Sequence, residues 1–96
     1  MADLYHVYLK PKPEIKFEEI KKKMDLALDW FKYGENIWIL HTTSDDKKLY
    51  GRFKELVDPS GYLFICKLDL THNYGLMSEE FWNWIRKYEN KSSTNE

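Results

Sequence analysis

Residues 29–42, DWFKYGENIWILHT, constrain the fold more than any other part of the chain. Two apolar runs, Trp30–Tyr33 and Ile37–Thr42, flank the tripeptide Gly34-Glu35-Asn36. Gly and Asn are poor helix formers, whereas Trp, Phe, Tyr and Ile favour strands, so a helix through this segment is disfavoured. Gly and Asn also tolerate the positive φ of a tight connection. The pattern therefore predicts a β-hairpin.

The second strand of this hairpin has apolar side chains on both faces. Alternation places Ile37, Ile39 and His41 on one face and Trp38 and Leu40 on the other. A strand that is apolar on both faces is typical of the interior of a sheet that is covered on both sides.

The segments before the hairpin predict a strand and a helix. Residues 4–9, LYHVYL, are rich in aromatic and branched side chains, and Pro11 and Pro13 would end this strand. Residues 16–28 predict a helix, because apolar side chains recur every three or four positions. Its buried stripe would consist of Phe17, Ile20, Met24, Ala27 and Leu28.

The segments after the hairpin predict a second helix, a last strand and a third helix. Thr43 and Ser44 are candidate N-caps of a helix that runs to about Val57. The turn that follows would place Gly61 in the left-handed conformation. Residues 62–70 predict the last strand, and Ser78 would cap the final helix.

The resulting order, β-α-β-β-α-β plus a C-terminal helix, is typical of the ferredoxin-like class of α+β folds. Residues 1–89 would form this single domain, and residues 90–96, NKSSTNE, a disordered polar tail. Helices on one face would leave the other face of the sheet open. Because the apolar strand residues cannot all face the helices, we expect a homodimer interface there. Its candidate residues are Trp38, Leu40, Tyr62, Phe64 and Cys66.

The formal net charge of −1 argues against a general nucleic-acid binder, although the first quarter of the chain is locally basic. The candidate nucleic-acid-binding residues are Lys10, Lys12, Lys16, Lys21, Lys22 and Lys23. The alternative, which we favour, is a solvated helix face with ion pairs four residues apart, such as Glu18 with Lys22.

Sequence motifs for catalysis are absent. The chain has no glycine-rich phosphate loop, no zinc-type spacing of Cys and His, and no nucleophile elbow. We therefore expect no catalytic residues, no metal and no cofactor. His6 and His41 lie on strands that would be adjacent, and we interpret them as ordinary sheet histidines. The single cysteine, the absence of a signal-like start and the lack of a membrane-length apolar run predict a cytoplasmic protein.

Residues 29–42 and 44–68 together resemble the small ferredoxin-like proteins of the CRISPR-associated Cas-two family and the VapD toxins. They are most similar to the stand-alone Cas-two-like proteins often labelled SinR. The likeness includes the third strand Ile37–Thr42, the last strand within Asp58–Leu68, and the Asn83-Trp84-Ile85 element of the closing helix. It extends in order and spacing over nearly the whole chain, and it implies the fold and a two-fold dimer.

The resemblance also implies where a nuclease site would lie. In the nuclease members an Asp at the end of strand one is the proposed ligand of a divalent metal in the dimer. The matching position here is Lys10, which cannot coordinate a cation. We therefore expect a non-catalytic homodimeric interaction module of phage or mobile-element origin, with a further protein partner. The alternatives are a metal-dependent endonuclease with a displaced site and a nucleic-acid binder that uses the N-terminal lysines.

Overall fold

The computed structural model of the chain describes residues 2–93, which form one four-stranded sheet and three helices. The elements are β1 (Asp3–Lys10), α1 (Phe17–Met24), β2 (Asp29–Gly34), β3 (Ile37–Thr42), α2 (Asp46–Val57), β4 (Tyr62–Leu68) and α3 (Glu79–Ser93). The sheet is antiparallel throughout, with strand order β2-β3-β1-β4. The predicted α+β class is therefore confirmed.

The predicted hairpin is present as β2 and β3. The two strands pair antiparallel, with Trp30 opposite Leu40 and Phe31 opposite Ile39, and Glu35 and Asn36 connect them. No residue of the described chain has a positive φ, so the connection does not use the conformation that its Gly and Asn suggested. Instead, the pairing register shifts between Lys32 and Gly34, so that β2 has one extra residue beside the connection.

Helices α1 and α2 cover one face of the sheet and enclose the main core. Buried side chains from β1 and β3 meet buried side chains from both helices there. The most deeply buried members of this cluster are Val7, Leu9, Met24, Trp38, Leu40, Leu49 and Phe53. The transfer of these apolar side chains out of water is the main contribution to the stability of the fold.

Helix α3 covers part of the second face, which the element order alone left open. Leu4, Ile39, Leu70, Trp84 and Ile85 form a second buried cluster between α3 and the sheet. Strand β3 therefore has buried side chains on both faces, as its alternation predicted.

Helix α1 is shorter than the sequence pattern indicated. It ends at Met24, and both Phe17 and Leu28, which were expected in its buried stripe, are exposed. The backbone N–H of Leu28 donates to the carbonyl of His41 at 2.9 Å. Because this bond ties residue 28 to the end of β3, the chain has to leave the helix several residues earlier.

Two predictions were wrong, one about the N-cap of α2 and one about the turn that follows this helix. Its N-cap is Asp45, whose carboxylate accepts a hydrogen bond from the Lys48 backbone N–H, and not Thr43 or Ser44. Gly61, after the helix, does not adopt the left-handed conformation. It is needed for close approach, since a Cβ at this position would collide with the carbonyl oxygen of Lys10.

Helix α3 extends to Ser93, so its backbone includes four residues of the segment predicted to be a disordered tail. Residues 94–96, the rest of that segment, lie outside the described residues.

Candidate functional site

The second face of the sheet is uncovered from His6 to Lys10 of β1 and from Tyr62 to Cys66 of β4. Odd-numbered residues of β1 lie in the helix-side core, so its even-numbered residues project from the second face. The registers pair His6 with Cys66, Tyr8 with Phe64 and Lys10 with Tyr62. These six residues, His6, Tyr8, Lys10, Tyr62, Phe64 and Cys66, form what we call the open strip.

The open strip exposes large apolar side chains. Tyr62 is 65% exposed and Phe64 is 63% exposed, although both lie on a strand of the sheet. Exposed aromatic side chains that lie close together on a sheet face are unusual on a monomer and mark interaction sites. The open strip is therefore the main candidate for a functional surface.

The border of the open strip is set by how far α3 reaches across the sheet. Phe81 of α3 contacts Phe31 and Tyr33, with ring centroids 6.0 and 5.3 Å apart. Beyond Tyr33 the next side chain is His6, whose Nε2 lies 2.7 Å from the Tyr33 hydroxyl. Burial lowers the pKa of His6 and raises the pKa of Tyr33, so both side chains favour the neutral form.

The connection between β4 and α3 adds further exposed apolar side chains. Leu70 is buried in the second cluster, and the Asn73 amide donates to its carbonyl and to the Glu89 carboxylate, at 2.9 and 2.7 Å. The residues that follow Asn73 are exposed. Tyr74 and Leu76 are fully exposed, and a Cβ at Gly75 would lie 4.0 Å from the Trp82 ring of α3. Residues 73–77 are therefore a second exposed apolar element, beside α3; we call them the connecting segment.

The five residues predicted for the dimer interface do not lie together. Trp38 and Leu40 are 1% and 0% exposed beneath α1 and α2, so their assignment to an exposed interface is corrected. Tyr62, Phe64 and Cys66 lie on the open strip. The separation follows from the register, because even-numbered residues of β3 and of β4 face opposite sides of the sheet.

The sequence interpretation missed His6 and Tyr8 as members of this surface. Their signal was available, since alternation along β1 already placed them opposite Tyr5, Val7 and Leu9. The connecting segment had no such signal, because exposure of a loop cannot be inferred from periodicity.

The six lysines predicted to bind nucleic acid are spread over different elements. Lys10 lies at the end of β1, whereas Lys21, Lys22 and Lys23 lie on α1. Two of them form ion pairs, Lys21 with Asp25 at 2.9 Å and Lys23 with Glu55 at 2.8 Å. Lys12 and Lys16 precede α1, and the backbone N–H of Lys12 donates to the carbonyl of Leu56.

The histidines have separate surroundings. His6 bonds Tyr33, whereas the His41 ring lies 4.3 Å from the Tyr88 ring, centroid to centroid. Asp69 accepts hydrogen bonds from the backbone and side chain of Thr71, which is a loop-capping role. Within residues 2–93 no group of three or more His, Cys, Asp or Glu side chains is arranged to hold a metal ion.

An open groove of about 310 Å³ lies beside the outer edge of β4. The first turns of α2 contribute Asp46, Lys47 and Tyr50, and β4 contributes Leu63, Phe64 and Ile65. Phe64 thus borders both the groove and the open strip. The groove is too open to enclose a small molecule in the way that ligand pockets do.

In the described part of the chain, no helix combines the length and apolar character needed to cross a bilayer. Comparisons with protein-family models, with characterised proteins and with solved structures found no match to this chain. The resemblance to the Cas-two-like proteins therefore stays a prediction, and the geometry of the surface carries the functional argument.

Proposed function

We propose that the chain is a ferredoxin-like, non-catalytic interaction module of the cytoplasm that forms a homodimer through the open strip. The element order and the position of β1 and β3 inside the sheet support the ferredoxin-like assignment. The single observation that carries the homodimer is the exposure of Tyr62 and Phe64 on a sheet face whose other half is covered by α3.

The amount of exposed apolar surface favours an interface that includes the connecting segment. Tyr62 and Phe64, each about two-thirds exposed, offer on the order of 250 Å² together. A stable interface buries about 800 Å² on each partner. Tyr74 and Leu76 are fully exposed and Met77 is 42% exposed, so the connecting segment adds a comparable area. Both surfaces together would supply about 500 Å², which is more than half of that area.

A second copy fits this surface because the surface has little charge. Lys10 is the one charged member of the open strip, and it lies at the end of β1. Two-fold interfaces are self-complementary, and a mainly apolar surface can pair with itself without placing many like charges in contact.

The second candidate function is binding of single-stranded nucleic acid. Tyr8, Tyr62 and Phe64 are aromatic side chains on an open sheet face, and Lys10 lies beside Tyr62. Aromatic side chains on such faces stack bases, with nearby cations contacting the phosphates. The net charge of −1 and the pairing of Lys21 and Lys23 with carboxylates favour the homodimer.

Sedimentation equilibrium tests the proposal. We expect a species of twice the 11.7 kDa chain mass at micromolar concentration. The variant Phe64→Lys should weaken association at least tenfold, because it places a charge in a contact that excludes water. The matched control is Phe17→Lys, since Phe17 is also exposed but lies on α1, away from the open strip.

A wild-type protein that sediments as a single chain at these concentrations would contradict the homodimer. Equal weakening by Phe64→Lys and Phe17→Lys would place the interface elsewhere. Binding of a fluorescent single-stranded oligonucleotide that weakens with salt and is lost in Phe64→Ala would favour the second candidate function.

A further inference from the structure

We infer that acid dissociates the homodimer through His6, because the second copy would cover this side chain in a setting that has no counter-charge. The inference rests on the proposed function, since it requires a second copy on the open strip.

His6 occupies a central position on the second face. It lies on β1, an interior strand, with Ile39 of β3 opposite it on one side and Cys66 of β4 on the other. Tyr8, two residues further along β1, projects from the same face. A partner that covered Phe64 and Cys66 would therefore cover His6 as well.

No carboxylate, Lys or Arg side chain is among the described residues that face His6, and burial is what shifts its pKa. Tyr33 from β2 and Cys66 from β4 lie beside it, and β3 contributes the apolar Ile39. Helix α3 reaches this point through Phe81, which contacts Tyr33. Among the ion pairs of the described residues none involves His6.

Protonation would change the cost of covering His6. The bond to Tyr33 would survive, because both nitrogens of an imidazolium donate and the phenolic oxygen can accept. The charge itself would be removed from water without a carboxylate nearby, which is unfavourable. Burial within one copy already lowers the pKa of His6, and cover by a second copy acts in the same direction.

The sign of the pH dependence follows from proton linkage. Because association lowers the pKa of His6, each copy has to release a proton whenever the free copy is protonated. Above the His6 pKa of the free copy, the association constant does not depend on pH. Below it, with one proton per copy, the constant falls by up to about 100-fold per pH unit, until the lower pKa of the dimer is reached.

The experiment compares association constants between about pH 8 and about pH 5.5, the range in which histidines titrate. Wild type, His6→Gln and His72→Gln are studied by sedimentation equilibrium, with circular dichroism to verify that each sample is folded. Gln at position 6 keeps a group that can hydrogen-bond to Tyr33 but cannot take up a proton. His72→Gln is the matched control, because His72 is exposed in the loop after β4.

We expect the constants of wild type and His72→Gln to fall with acid and that of His6→Gln to stay constant. Dimerisation of wild type with no pH dependence, or with the same dependence in His6→Gln, overturns this inference and leaves the homodimer intact. A protein that is a single chain at every pH overturns both.

A second measurement does not depend on a variant. The His6 pKa can be followed by NMR in dilute and in concentrated wild-type samples. A lower pKa in the concentrated sample supports the inference, and an equal or higher one overturns it.

Discussion

The Tyr88 hydroxyl donates a hydrogen bond to the Asp29 carboxylate at 2.5 Å, and this contact fixes helix α3 to the first residue of β2. Lys87 lies 3.3 Å from the same carboxylate oxygen. His41, the register partner of Asp29 on β3, has its ring against Tyr88. Helix α3 is therefore held to the hairpin by a polar contact as well as by its apolar cluster. Together the two kinds of contact hold α3 over the β2–β3 half of the second face.

We expect Tyr88→Phe to destabilise the protein by about 1–2 kcal/mol, because it removes a hydrogen bond to a charged group. Urea denaturation measures the free energy of unfolding. The control is Tyr50→Phe, since Tyr50 is exposed on α2 and should tolerate the loss of its hydroxyl. Equal effects of the two substitutions would show that the bond to Asp29 contributes nothing.

The difference in the free energy of unfolding between wild type and Tyr88→Phe should also depend on pH. Burial and the neighbouring Asp29 carboxylate raise the pKa of Tyr88, so its contribution is complete below about pH 10 and is lost as the pH rises further. Burial raises the pKa of Asp29, but hydrogen bonds from Tyr88 and Lys87 outweigh it and the net pKa is lowered. Its contribution is complete above about pH 4 and is lost in acid. A difference that persists unchanged outside this window would contradict the linkage.

Features that follow from local geometry could be predicted from the sequence, whereas features that depend on contacts between distant segments could not. Alternation assigned the faces of β3 correctly, because a period of two follows from strand geometry alone. It could not assign Trp38 and Phe64 to different sides of the sheet, because that depends on the register between strands. The end of α1 was missed for a similar reason, since the bond from Leu28 to His41 joins segments that are distant in the sequence.

The largest feature that the sequence did not predict is the packing of α3 over half of the second face. Phe81, Ile85 and Tyr88 recur at helical spacing in the sequence and form an apolar stripe on α3. Nothing local indicates onto which surface such a stripe docks. The docked position depends on contacts between distant segments, such as the bond between Tyr88 and Asp29, which are 59 residues apart.

Two glycine substitutions should have opposite effects. Gly51→Ala should stabilise the protein by about 0.5–1 kcal/mol, because the residue is helical and exposed and a Cβ there meets no neighbour within 4 Å. Gly61→Ala should destabilise it by at least about 1–3 kcal/mol, since its Cβ would collide with the Lys10 carbonyl. Thermal melts of the two variants test both. A neutral Gly61→Ala would mean that the chain around residue 61 adjusts freely.

Trp38→Ala should cost about 3–5 kcal/mol, as the loss of a fully buried aromatic side chain does. Trp38→Phe should cost less, because the indole N–H has no hydrogen-bond partner in the described part of the chain. Chemical denaturation distinguishes these values, with the exposed Tyr50→Ala as the control. A stability equal to that of wild type in Trp38→Ala would overturn its place in the core.

The last prediction concerns metal-dependent nuclease activity, which we expect wild type to lack. In the nuclease members of the family that the chain resembles, each copy has an Asp at the end of its first strand. The two carboxylates of the dimer would hold a divalent ion. In this chain the end of β1 is Lys10, an exposed residue opposite Tyr62 on the open strip. In the proposed homodimer a lysine from each copy would create a positive site that repels the ion.

The variant Lys10→Asp tests this alignment directly. Wild type and variant are assayed with Mg²⁺ or Mn²⁺ on single- and double-stranded RNA and DNA, and metal binding is measured by calorimetry. Lys12→Asp is the matched control, because it makes the same charge change two residues away. We expect metal binding to appear in Lys10→Asp alone, since only that change supplies a carboxylate at the end of β1. Cleavage by wild type that follows the protein through purification and is abolished by EDTA would contradict the prediction.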